Sequence, residues 1–386
     1  MKAERYAITA ETIFDGADAR SNSAVIVEGA EIAAVVERRE APAGIAIHAL
    51  PDGAWLAPGF IDVQVNGGGD VLFNDSPSPE GIDAILAAHR RFGTTALLPT
   101  LITDSDEKMH AAREAVQAAM AREPGVLGIH FEGPFLAPEK CGVHDAALMR
   151  APNAWHRDFL TSFRTGVTLM TLAPERVPPG FIRSLADAGV RVALGHSMAT
   201  YEETKTAMAE GLTGFTHLFN AMRPMQAREP GPIAAALECQ RCWYGLIVDG
   251  EHVAPAMLRL ALRGAGTPML VTDAMPPVGG TKAAFTLQTR EIVVADGRCT
   301  TRQGTLAGSA IDMACAVRNC VGLLGVPLTD ALRFASRAPA EFLGLGNRLG
   351  RLAPGYRADM VAFEPSQIRV LDTWVAGRHR QSAKAR

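Results

Sequence analysis

The chain has 386 residues, 48% of them apolar and 20% charged, a balance that supports a large folded core and excludes disordered, collagen-like and coiled-coil chains. Lys and Arg number 38 against 41 Asp and Glu, a net charge of −3, so there is no basic footprint for nucleic acid and a small molecule is the expected partner. No run approaches the roughly 18 apolar residues of a membrane span, and the start, Met1 to Tyr6, lacks the apolar region of a signal peptide, which points to the cytoplasm.

Residues 6–50 read as short strands separated by turns, as in Ala24-Val-Ile-Val-Glu-Gly-Ala-Glu-Ile-Ala-Ala-Val-Val. From 58 to 275 the pattern changes: short, β-branched apolar runs end in polar residues and are followed by segments of helical composition. Strands are expected at 59–65, 94–99, 126–131, 167–172, 190–194, 214–218, 243–248 and 268–272. Helices are expected at 79–91, 105–121, 181–188, 200–210 and 255–263, each with Ser, Thr or Pro near its start. Eight strands too apolar to face water, alternating with helices, predict an α/β fold of the (β/α)8 TIM-barrel type, with an open doubly wound sheet as the alternative.

A β-hairpin insertion is expected near 283–305, followed by helices at 309–324 and 329–343. The tail at 358–377 is strand-like again. Neither end has enough strands to close a core alone. The expected division is therefore a small β-sandwich built from both termini, 1–55 plus 355–386, attached to a catalytic barrel at 56–354. The six cysteines are sparse for this length and read as free thiols, with Cys239-x-x-Cys242 a packing pair because no second pair at zinc-finger spacing accompanies it.

In a barrel of this kind reacting groups sit at the carboxyl ends of the strands. The first expected strand runs into Asp62-Val-Gln64-Val-Asn66, the third into His130-Phe-Glu132, the fifth into His196-Ser197, the sixth into His217-Leu-Phe-Asn220, the seventh into Asp249-Gly-Glu-His252 and the eighth into Thr272-Asp273. Any one of these polar ends reads equally well as a helix cap or a satisfied polar group. Together, one carboxylate and two imidazoles from strands 3, 5 and 6 offer three ligands and an open position, the pattern of a catalytic metal, so Glu132, His196 and His217 are the expected metal ligands. Asp273, across the same mouth, is the expected general base.

These ends, with several longer motifs, carry a resemblance. Pro58-Gly-Phe-Ile-Asp-Val-Gln-Val-Asn-Gly, His130-Phe-Glu-Gly-Pro-Phe, Gly195-His-Ser, His217-Leu-Phe-Asn-Ala-Met, Arg228-Glu-Pro-Gly, Asp249-Gly-Glu-His, Thr272-Asp-Ala and Leu306-Ala-Gly-Ser are similar to those of the N-acetylglucosamine-6-phosphate deacetylases, a family of the amidohydrolase superfamily. The stretch Leu349-Gly-Arg-Leu-Ala-Pro-Gly-Tyr-Arg-Ala-Asp-Met resembles a signature found across amidohydrolases and supports the superfamily only. The resemblance implies hydrolysis of the acetamide of N-acetyl-D-glucosamine 6-phosphate, one divalent metal ion per subunit, a homodimer, and a place in amino-sugar catabolism or cell-wall recycling. Zinc is the first choice of metal, and iron, manganese or cobalt suit the same ligands.

By position the resemblance also implies that His144 touches substrate near its carbonyl, that Asn220, Ala221, His252 and Leu306 line the sugar and phosphate pocket, and that Arg228 reaches the neighbouring subunit's site. One departure bears on the metal count. Amidohydrolases commonly carry His-x-His at the end of strand 1 and a modified Lys on strand 4, whereas here strand 1 has Gln64-x-Asn66 and 167–175 contains no Lys. Neutral amides are poor transition-metal ligands, so a single metal is expected, with Gln64 near a water on it. The alternatives are a deacetylase for the galactosamine epimer, an amidohydrolase acting on a cyclic amide, and a catalytically silent barrel. Cys141, beside His144, is read as packing.

Overall fold

The structure, a computed structural model, describes residues 4–381; residues 1–3 and 382–386 of the terminal unit expected from the sequence lie outside the described residues. Eight parallel strands form one sheet in the order of the chain: Phe60–Val65, Thr94–Ile102, Gly128–Glu132, Val167–Leu172, Arg191–Leu194, Gly214–Phe215, Trp243–Leu246 and Thr267–Leu270. The first and last meet through a parallel bridge between Val65 and Ala274, and the Asp273 amide donates to the Gln64 carbonyl at 3.0 Å, which closes the ring. The expected (β/α)8 barrel is therefore the observed fold, and the open sheet is not.

Alternate side chains of each strand separate to two cores, as a pleat requires. Leu169 packs with Val63, Leu98, Ala193, Ile247 and Val271 in one cluster, while Met170 and Leu172 of the same strand pack with Ile82, Ile85 and Val116 of the surrounding helices in another. The helices start where the sequence placed their caps: Ser78 accepts from the Gly81 amide ahead of Pro79, Ser105 from Lys108, and Thr200 forms a reciprocal box with Glu203. The helix expected at 329–343 is instead two, Leu328–Ala335 and Arg337–Phe342, broken at Ser336. Pro339 has no amide to donate, and restarting the helix places it in a first turn where none is needed.

The insertion is larger than a hairpin. Four antiparallel strands, Ala284–Leu287, Arg290–Ala295, Arg298–Thr301 and Leu306–Ser309, follow one another, and the last returns to the barrel through a bridge from Ser309 to Ala274. The terminal strands share one eight-stranded sheet in which Trp55–Pro58 lies between Arg5–Phe14 and Met360–Glu364. That sheet doubles over: the Tyr6 hydroxyl donates to the Gly377 carbonyl at 2.5 Å, and Ile8, Val25, Leu56, Met360 and Trp374 fill the space between.

The reading of all six cysteines as free thiols is corrected at one pair. Cys239 and Cys242 form a disulfide across the turn between helix Gly231–Glu238 and strand Trp243–Leu246, where the turn brings their Cα atoms to 5.5 Å, a separation that disulfide geometry accepts. Composition carries no information about such a turn. Cys141, Cys299, Cys315 and Cys320 remain free.

Asp62 secures the closing seam from the inside. It is fully buried, its Oδ2 accepts from the Thr272 hydroxyl at 2.5 Å and its Oδ1 from the Gln64 amide at 3.1 Å, so one carboxyl ties the first strand to the segment after the eighth. Burial pushes this carboxyl up to about 7 despite those donors. Below about pH 4 the group is protonated in both folded and unfolded chains. Between there and pH 7 the unfolded chain ionises first, and the folded state loses stability on the order of 4 kcal/mol. Asp62→Asn removes that loss, so the variant should gain on the parent as pH rises from 4 to 7; urea midpoints that keep a constant difference over that range would refute the assignment.

Candidate metal centre

Glu132, the last residue of the third barrel strand, and His196 and His217, each just beyond the end of its strand, converge on one point. The Nε2 atoms of the two imidazoles are 3.1 Å apart, and Glu132 Oε1 lies 3.2 Å from His196 Nε2 and 3.0 Å from His217 Nε2. All three side chains are buried. His196 and His217 adopt positive φ angles of 49° and 30°, and Asp273 one of 52°, a conformation that costs a residue with a side chain about 1–3 kcal/mol and is kept where surrounding structure imposes it. It turns the ring away from the strand path and into the mouth. Gly195 permits the approach, because a Cβ there would meet Thr171 Cγ2 at 2.6 Å.

The donor set fits a divalent cation. Ligand atoms bound at about 2.0–2.1 Å in a tetrahedral site are about 3.3 Å apart, close to the three separations here. His196 Nδ1 donates to the Lys140 carbonyl at 2.7 Å, which keeps the Nε2 lone pair directed at the triangle. His217 Nδ1 is buried without a hydrogen-bond partner among the described residues, so its ring is held only from the Nε2 side. Burial by itself would raise the Glu132 carboxyl and lower His217, but the hydrogen bonds and charge between them reverse both: Glu132 is held well below the usual carboxylate range and His217 is raised. The triangle is thus one that a shared proton satisfies and that a cation, displacing the proton, satisfies better.

Asp273 faces this triangle. Asn66 Nδ2 donates to its Oδ1 at 2.6 Å and Gln64 Nε2 to the same oxygen at 3.2 Å, leaving Oδ2 without a protein partner among the described residues. Burial, and then the Glu132 charge, raise the Asp273 carboxyl to about 6. Gln64 also donates to Glu132 Oε2 at 3.2 Å, so its amide bridges the two carboxylates. His144 packs against His196 with the rings tilted and their centroids 4.4 Å apart, and its Nδ1 lies 2.8 Å from the Thr103 hydroxyl and accepts from the Thr103 amide at 3.4 Å. Burial and the neighbouring His196 lower it to about 3, so it is a neutral ring with its proton on Nε2.

The metal triangle, Asp273, Asn66 and His144 line one cavity of about 320 Å³, within the size range of small-molecule sites, together with Asn220, Ala221, His252 and Leu306, whereas Gln64, expected at the substrate, is not part of its lining. The inserted sheet supplies a wall: Gln288 Nε2 donates to the Thr103 carbonyl at 2.7 Å and Arg290 to the Gly142 carbonyl at 3.4 Å. His252 is held by Asp249, whose Oδ2 lies 2.5 Å from Nδ1; burial would raise that carboxyl, but the bonds from His252 keep it low. Arg228 does not line the cavity. It is exposed and has no hydrogen bond or ion pair with the described residues. The supporting roles of Asn66, Thr103 and Asp249 were not assigned from the sequence; their only signal there is position beside a strand end.

Glu132→Gln keeps the shape of the side chain and removes its charge. Zinc affinity should fall by more than about 100-fold, measured by equilibrium dialysis on chelator-stripped protein. Unchanged affinity would separate Glu132 from the metal.

Comparison with known proteins agrees with this geometry. The amidohydrolase family profile matches residues 55–380. An N-acetylgalactosamine-6-phosphate deacetylase of Shewanella sp. is 44% identical over 327 residues, 83% of this chain and 82% of that one. An N-acetylglucosamine-6-phosphate deacetylase of Haemophilus influenzae is 34% identical over 383 residues, 98% and 100% of the two chains. The crystal structure of N-acetylglucosamine-6-phosphate deacetylase from Pasteurella multocida superimposes with a TM-score of 0.94 at 35% identity, over 98% of this chain and 100% of that one. The strand-end ligands, the closed barrel and these likenesses together establish that the chain belongs to the amidohydrolase family.

Proposed function

We propose that this chain hydrolyses the acetamide of N-acetyl-D-glucosamine 6-phosphate to D-glucosamine 6-phosphate and acetate. The observation that carries the reading is the triangle of Glu132, His196 and His217 facing Asp273 across a cavity that also gathers His144, Asn220 and His252. A divalent cation held by the triangle, with zinc the first choice, supplies Lewis acidity toward a water and the acetyl carbonyl. Asp273 Oδ2 accepts the proton of the attacking water and returns it to the sugar nitrogen, which leaves poorly unless protonated. His144 donates its Nε2 proton in a hydrogen bond to the carbonyl oxygen as negative charge develops there, acting as a neutral donor.

Phosphate recognition falls to His252 and to Arg228. Arg228 lies outside its own cavity and is unpaired among the described residues, which leaves it available to the site of a second copy, the homodimeric arrangement that the family resemblance implies. A charged sugar phosphate does not cross membranes unaided, and a cytoplasmic enzyme sharing the compartment of its substrate is the location that fits this reading. Among the described residues no helix is long and apolar enough to span a membrane. The absence of the strand 1 His pair favours one metal over two and weighs against a cyclic-amide substrate. A second reading, the galactosamine epimer as substrate, is favoured by the 44% identity to the Shewanella enzyme.

Acetate release from both hexosamine 6-phosphates and their unphosphorylated forms, with bound metal quantified, tests the proposal; turnover of neither phosphorylated sugar by metal-replete protein would overturn it. Asp273→Asn should keep metal and substrate binding while lowering kcat by about 100- to 10,000-fold and removing the acid limb of the pH profile, which in the parent reflects protonation of this carboxylate. Near-parental kcat would end its role as base. Arg228→Ala should raise KM for the phosphorylated sugar by about 10- to 100-fold and narrow the preference over the free sugar. Unchanged selectivity in kcat/KM would take Arg228 out of the site.

A further inference from the structure

Away from the barrel mouth, the described residues hold one other group of three side chains whose ligand atoms could share an ion. His48 on strand Ala46–Ala49, Asp372 on Arg369–Val375 and His379 on Arg378–Gln381 each place a ligand atom within 4.8 Å of the others. Asp372 turns one oxygen to each ring: Oδ1 lies 2.8 Å from His379 Nε2, and Oδ2 lies 3.9 Å from His48 Nε2. Both imidazoles pack on the indole of Trp374, at ring-centroid distances of 5.3 and 5.0 Å, and that indole is 1% exposed. Packing on a fixed floor orients the two rings before any ion arrives.

The three residues come from two parts of the terminal sheet that share no ladder with each other. Ala46–Ala49 pairs with Arg5–Phe14, whereas Asp372 and His379 lie on a hairpin at the far end of the strand order. They meet only because the sheet doubles over. We propose that His48, Asp372 and His379 form a second divalent transition-metal site, separate from the catalytic cavity, that staples the amino-terminal strand to the carboxyl-terminal hairpin across this seam. Two imidazoles and one carboxylate suit zinc, nickel, cobalt or copper(II) better than magnesium or calcium. Side-chain exposures of 40%, 20% and 39% leave room for water to complete the coordination shell.

An ion that binds only the assembled seam stabilises the folded chain by mass action. The test begins with protein carrying one equivalent of zinc, dialyses it against further zinc, and counts metal per chain. The parent should take up a second equivalent, and at about 100 times the dissociation constant of that site the unfolding equilibrium constant in urea should fall by about 100-fold. His48→Ala and Asp372→Asn should each return the count to one and abolish the zinc-dependent shift. A parent that saturates at one equivalent, or variants that both still bind two, would overturn the proposal. The parent count requires no substitution, so poor folding of a variant leaves the test intact.

Discussion

Two imidazole nitrogens and a carboxylate oxygen held within 3.2 Å of one another, out of water, are the constraint on which the rest of this molecule depends. Such a cluster is costly to bury unless charge is balanced inside it. The barrel meets that requirement by geometry. Its strands deliver Glu132, His196 and His217 from separate points on the ring, and the left-handed backbone at the two histidines turns their rings onto a common centre. The Lys140 carbonyl then sets which nitrogen of His196 remains free to bind.

Around that centre the protein assigns different protonation states to groups a few ångströms apart. Glu132 stays ionised because both histidines face it, whereas Asp273, sharing the same burial, is raised by it and by the Glu132 charge. His144 is kept neutral by burial and by the adjacent His196. One ionised carboxylate, one carboxylate raised toward neutrality and one neutral ring follow from placement, since the side-chain types alone are interchangeable. Gln64, in the position where other amidohydrolases carry a metal-binding histidine, bridges both carboxylates with one amide and so couples the two halves of the site.

The parts outside the barrel serve it by closing and walling. Asp62 and the Val65–Ala274 bridge join the last strand to the first, and without that join Asp273 would not face the triangle. The four-stranded insertion contributes Leu306 and neighbours to the cavity, holds the loop that carries His144 through Arg290, and bonds through Gln288 to Thr103, whose hydroxyl meets the His144 ring. The terminal sheet shares Trp55–Pro58 with the entry to the first barrel strand, so its core and the barrel are continuous through one segment.

Much of this was legible in the amino acids alone. Apolar runs of five or six residues alternating with capped helices have few packing solutions, which is why all eight strands and most of the helices lie where the sequence placed them. A single polar residue at the end of such a run has several uses, as Asp62 shows, but Glu132, His196, His217 and Asp273 stood out together because their strand ends lie around one barrel mouth. Other features were not legible: the disulfide across the Cys239–Cys242 turn, the break at Ser336 and the fourth strand of the insertion rest on turn geometry that composition does not specify, and the partners that hold Asp273 and His144 come from residues far away in the chain. Local sequence sets which backbone shapes and chemical groups are available. Only the closed three-dimensional arrangement decides which groups become neighbours and therefore which charge each one carries, because Coulomb and desolvation energies depend on distance and burial, neither of which a linear order specifies.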